Sequence, residues 1–199
     1  TEYAYERVPK KEDPFDNETF MKSGVPFYAV VTNVRTGEAE YIKINDVFKQ
    51  MDVLRASGSM PIVSRPVMYN GSMYLDGGVA DSIPYEWFYH QGYTRQVVIL
   101  TRDSSYVKKP FSPVMADMFV RKYPRLRDKM LHRHIDYNNK TAALAELEAQ
   151  GKVFIIRPSE PITISRLEKD EDKLQQTYDM GRRDSLKLLE DVKKFLDLD

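Results

Sequence analysis

The stretch Met73–Pro84, MYLDGGVADSIP, decides how the chain is read. A short alternating run carries Asp76 straight into Gly77 and Gly78, and the chain then heads for a helix start led by Pro84. Glycines after a strand let the backbone approach a neighbour that a side chain would push away, and an acid at that point faces whatever occupies the crevice. Taken alone, such a carboxylate has four open uses: ligating a hard cation, acting as a base, holding another base, or satisfying amides within a turn. Asp-Gly is also a common turn pair, so the surrounding chain has to choose.

Working outward, PVMYNGSMYL (66–75) predicts a hairpin that turns at Asn70-Gly71, the strongest short-range hairpin signal in the sequence. VPFYAVVTNV (25–34) is β-branched and aromatic enough for an interior strand, Arg35 to Glu38 supply a turn, and AEYIKI (39–44) alternates as the returning strand. Asn45 or Asp46 can cap a helix through VFKQMDVLRAS (47–57). After the aspartate, Asp81 or Ser82 can cap a helix through PYEWFYHQ (84–91), and RQVVILTR (95–102) is a second core strand. Strand, helix and strand at this spacing predict an α/β layer with parallel strands. Further on, PFSPVMADMFVRKYP (110–124) predicts a helix with Met115, Met118 and Phe119 turned partly inward and interrupted at Pro124. TAALAELEA predicts a helix over about 140–149, VFIIR (153–157) a third core strand, and 167–198 two leucine-striped helical segments joined near Gly181. The charged first 24 residues, broken by Pro9 and Pro14, suit a surface excursion or lid.

A chain of 199 residues with 42% hydrophobic residues can bury one substantial core. Thirty basic residues balance thirty acidic ones, so there is no overall field to draw in nucleic acid, and no nucleic-acid partner is expected. The absence of cysteine excludes disulfides, a thiol nucleophile and thiolate metal sites. No apolar run approaches the roughly 20 residues of a membrane-spanning helix. Cytoplasmic localisation is favoured.

LRASGSMP (54–61) ends a helix in small residues and then proline, which permits close packing of a helix end against a neighbouring loop. Together, LRASGSMPIVSRPV, MYLDGGVADSIP and VPFYAVVTNVRTGEAEYIKI resemble successive blocks of the patatin-like phospholipase family, and the tail QQTYDMGRRDSLKLLEDVKKFL resembles the closing helices of bacterial members. The resemblance runs over nearly the whole chain. It implies a three-layer α/β fold related to the α/β-hydrolases, a serine-aspartate dyad and hydrolysis of acyl esters in lipids, with no cofactor. The family's catalytic aspartate falls on Asp76 and its paired glycines on Gly77 and Gly78; Arg55, Ala56, Ser57 and Pro61 fall on the supporting block. The family's Gly-x-Ser-x-Gly nucleophile turn has no counterpart, since Ser59 follows Gly58 but precedes Met60 and Pro61.

These matches predict the carboxy-terminal portion of a patatin-like protein, with residues 1–166 the catalytic-domain part and 167–199 a helical tail. The expected parent is a phospholipase or esterase, and the isolated chain is expected to show no turnover. The alternative is a non-catalytic lipid-binding or protein-interaction module of the same fold. Expected partners are an acyl-ester lipid, a peripheral membrane contact, and either a second copy or the missing amino-terminal part. Elsewhere, His132-x-His134 lies in a basic, helix-like setting without a metal-binding pattern, and no metal is expected. The basic stretch Val120–His134 reads as a solvated helix face before a lipid-binding one, and the aromatic cluster Tyr85 to Tyr93 as core packing.

Overall fold

The computed structural model describes residues 2–165 and 168–198. The boundary expected between 166 and 167 lies outside the described residues. Two compact units are present: one runs to Ile83 and includes Lys109–Tyr137; the other comprises Pro84–Lys108 and the chain from Asn138 onward.

The first unit opens with a π-helical segment, Tyr3–Glu12, and a short helix, α1 (Asn17–Ser23), capped by the Asp16 carboxylate accepting from the Thr19 amide at 2.9 Å. Strands β1 (Phe27–Asn33) and β2 (Ala39–Ile44) follow, then α2 (Met51–Ser57), β3 (Val67–Tyr69) and β4 (Ser72–Asp76). They form one sheet in the order β2-β1-β4-β3, every neighbour antiparallel. The five-residue turn after β1 and the Asn70-Gly71 turn after β3 are far too short for a crossover, so each can only reverse the chain. Asn70 and Gly71 both adopt positive φ, 45° and 77°, the geometry that matches the twist of a hairpin. Asp46 Oδ1 accepts from the Phe48 and Lys49 amides at 3.0 and 3.1 Å, which makes 47–50 a turn and delays the helix to Met51.

Successive residues of β4 face opposite ways, and two cores form accordingly. Tyr74 joins Ala29, Val31, Ile44, Val53, Ala56 and Val67 on the side of α2. Leu75 joins Val34, Val79, Ala116, Val120, Leu126 and Met130, the last four of which come from α4 (Pro113–Val120) and the first half of α5 (Pro124–Ala149). Val31 and Val53 are completely buried, each worth about 1.5–3 kcal/mol of apolar burial.

The second unit holds α3 (Tyr85–His90), β5 (Gln96–Ile99), the remainder of α5, β6 (Val153–Ile156), α6 (Glu171–Lys187) and α7 (Leu189–Leu196). Here β5 and β6 pair in parallel, with Gln96 opposite Val153 and Ile99 opposite Ile156. The expectation of a parallel three-layer patatin-like α/β sheet is therefore corrected: parallel pairing is confined to this separate two-stranded sheet, and the larger sheet is antiparallel.

Several helical expectations also change. Pro124 starts α5 rather than interrupting a helix, because the first helical position has no use for an amide donor. On α4 the buried positions are Ala116 and Val120, while Met115, Met118 and Phe119 are exposed. Helix α6 runs through Gly181, and the break with α7 comes at Leu188. Among the described residues no helix is long and apolar enough to cross a membrane.

Candidate functional site

Asp76 ends β4 opposite Val31 of β1, and the chain passes at once into a 3-10 turn, Gly77–Val79. Its Oδ1 accepts from the Gly78 amide at 2.7 Å. Its Oδ2 accepts no hydrogen bond among the described residues. Its own amide donates to the Ser59 carbonyl at 2.8 Å. One carboxylate oxygen thus fixes the turn and the other stays open, on a backbone tied to two neighbouring elements.

Gly77 is required by close approach: a Cβ there would collide with the Val30 carbonyl of β1. The same region is stitched by Thr32, fully buried in β1. Its hydroxyl donates to the Asp76 carbonyl at 2.8 Å and accepts from the Ala80 amide at 3.2 Å. A threonine in an otherwise apolar run was the only sequence signal of this role. Tyr74, next to Leu75 on β4, donates to Glu40 Oε2 at 2.7 Å; burial first, then that carboxylate, raises its phenol above the ordinary value and keeps it a neutral donor.

The supporting block divides. Ala56 is fully buried in the α2 core, and Arg55 and Ser57 occupy the last turn of α2. The Ser59 hydroxyl donates to the Arg55 carbonyl at 2.7 Å, so this buried serine links the end of α2 to the Asp76 backbone. Pro61 lies in the following turn, next to Ile62, which holds φ at 83°. The Arg55 guanidinium pairs with Asp52 at 2.7 Å rather than with Asp76. It lines a cleft of about 480 Å³ with Tyr5, Lys10, Phe48, Lys49 and Met51. The structure therefore brings together Asp76, Gly77, Gly78 and the backbone of the Ser59 loop, and leaves the Arg55 side chain elsewhere.

Asp81 and Ser82 do not cap α3. Asp81 is buried, accepting from the Tyr41 hydroxyl at 2.5 Å and the Ile83 amide at 3.2 Å, whereas the Ser82 hydroxyl donates back to the Gly78 carbonyl at 2.6 Å. His132 and His134 lie on α5, their Nδ1 atoms 2.9 Å from the carbonyls of Asp128 and Leu131. Among the described residues no group of three or more carboxylates and imidazoles could hold a metal ion. In the basic stretch, Arg127 is paired with Asp117 and Lys129 with Asp136.

Residues 4–89 match the model of the patatin-like phospholipases. Residues 123–197 match that of a domain of unknown function, DUF6363. The chain is also similar to the uncharacterized protein YjjU of Escherichia coli (strain K12), 28% identical over 135 residues. That alignment covers 66% of the chain and 38% of YjjU, so the chain spans well under half the length of this relative.

These findings correct the expected placement. The patatin-like match occupies the amino-terminal part of the chain, not a carboxy-terminal portion of the family running through the tail, and the carboxy-terminal residues match a different model. The expectation of a nucleophile-lacking fragment of a dyad hydrolase, inactive on its own, rested on that placement and falls with it.

Proposed function

We propose that the Asp76 turn takes part in hydrolysis of lipid acyl esters, with Asp76 as the proton acceptor. In this reading a hydroxyl attacks the ester carbonyl as its proton passes to the carboxylate. The carboxyl group hands that proton to the departing oxygen, which leaves as the alcohol. An acyl-enzyme remains, and water that gives a proton to the freed carboxylate opens it, the proton passing back to the enzyme's hydroxyl. Gly77 lets the turn that carries the acid pack directly on β1.

The observation that carries the proposal is the divided use of the carboxylate: Oδ1 is committed to the Gly78 amide while Oδ2 is open. The patatin-like match over 4–89 supports the substrate class.

The test is D76N in the whole protein, assayed on p-nitrophenyl butyrate and on phosphatidylcholine in mixed micelles. Loss of the base should lower kcat by about 10²- to 10⁴-fold. Labelling with a fluorophosphonate and mapping of the tagged peptide then identifies the attacking hydroxyl. Full turnover in D76N sinks the assignment.

A further inference from the structure

The Asp76 turn is also held by a residue far away in sequence. Arg133 lies on α5, inside the stretch that matches DUF6363 and outside the patatin-like match. Its Nε donates to the Ser82 hydroxyl at 3.3 Å, and that hydroxyl donates to the Gly78 carbonyl at 2.6 Å. Arg133 Nη2 stands 3.0 Å from the point a Cβ on Gly78 would occupy, and Asp76 Oδ1 stands 3.1 Å from the same point. A side chain at Gly78 would press on both the guanidinium and the carboxylate.

We infer that Arg133 is a positioning residue for Asp76. Through Ser82 it fixes the Gly78 carbonyl, and its planar guanidinium closes over the face of the residue whose amide anchors the carboxylate. The planar fork matters: one nitrogen engages Ser82 while another covers Gly78, a division a lysine ammonium cannot reproduce in full. The second glycine of the pair is thereby explained, since guanidinium and carboxylate both crowd the position its side chain would take. The role of Arg133 in turnover rests on the acyl-ester reading of Asp76; its hold on the turn does not.

Hydrogen exchange in the whole protein tests the hold directly. In R133Q and in S82A the amides of Gly78 and Ala80 should exchange about tenfold faster, the scale of one lost hydrogen bond, while those of β1 stay unchanged. R133K, which keeps one donor and the charge, should recover most of the protection. The double variant R133Q/S82A should exchange no faster than either single variant, because both remove one clamp. Should R133Q fail to fold, S82A decides by itself. Unchanged exchange in S82A, or additive effects in the double variant, overturns the inference.

Kinetics supplies the second arm. R133Q should lower kcat by about 10- to 100-fold with KM within about twofold, as misplacement of a reacting group does. A raised KM at constant kcat would make Arg133 a substrate-binding group and overturn the positioning role. If the wild-type whole protein hydrolyses no acyl ester while the exchange results are as expected, the functional reading of Asp76 fails and the clamp stands.

Discussion

Replacing Gly77 by alanine sets a methyl group against the Val30 carbonyl, where backbone on both sides leaves nothing flexible to yield. The strand or the turn has to move, and G77A should cost about 3 kcal/mol, read as a lower urea midpoint at unchanged slope. G77A equal to the wild type would mean that the turn has slack the geometry denies. T32V tests the other stitch. The shapes are alike, but the Ala80 amide and the Asp76 carbonyl each lose the Thr32 hydroxyl. Taking the donor from the Asp76 carbonyl and one of two acceptors from the Ala80 amide, which keeps the Gly77 carbonyl at 3.1 Å, should cost about 1–2 kcal/mol by the same measurement. If T32V also leaves exchange at Ala80 unchanged, the hydroxyl is not what secures the turn.

The hairpin of β3 and β4 carries the aspartate, and its turn is set by two residues of positive φ. G71A should cost about 1 kcal/mol, because alanine meets its carbonyl in the left-handed region; thermal unfolding checks this, and an unaltered Tm would contradict the turn assignment. This element was fully legible, since Asn-Gly and the alternation around it are local signals. So were β1 and β2, with a turn at Arg35 to Glu38. The direction of pairing was not. The strand-helix-strand spacing of β4, α3 and β5 suggested a parallel layer, yet β4 belongs to the antiparallel sheet and β5 pairs with β6 in another, and spacing along the chain does not reveal which strands pair. Helix α5 was seen only in its alanine-rich end because LRDKMLHRHIDYNN spreads its apolar positions among charges, and Pro124 reads equally as a stop or a start. For the candidate site, Asp76 and its glycines could be found from local chemistry. Arg133 could not, because its contact with Ser82 spans 51 positions and leaves no periodic trace.

At the scale of the whole chain the charges balance, thirty against thirty, yet the carboxylates are not passive. In the first unit the Lys49 amide holds Asp46 below its ordinary value, the Thr19 amide does the same for Asp16, and the Arg127 guanidinium for Asp117. In the second unit the Ser159 amide lowers Asp184, the Ser105 hydroxyl lowers Asp103, and the Lys193 ammonium lowers Glu190. A carboxyl whose folded value lies below its unfolded one adds stability above the unfolded value, near pH 4, and that stability is lost as pH falls through the folded value. Both units should therefore hold their stability from about pH 7 to 5 and lose it progressively below about 4. Urea denaturation at a series of pH values checks this, and a midpoint constant down to pH 3 would contradict it. Asp184 is the sharpest single probe, because it is 6% exposed and its Oδ2 accepts from the Ser159 amide at 2.8 Å. Asparagine keeps an acceptor there but cannot titrate, so D184N should shallow the acid limb by at most about 1.4 kcal/mol per pH unit, the limit for one proton. An acid limb of unchanged steepness would place the linkage in the other carboxylates alone.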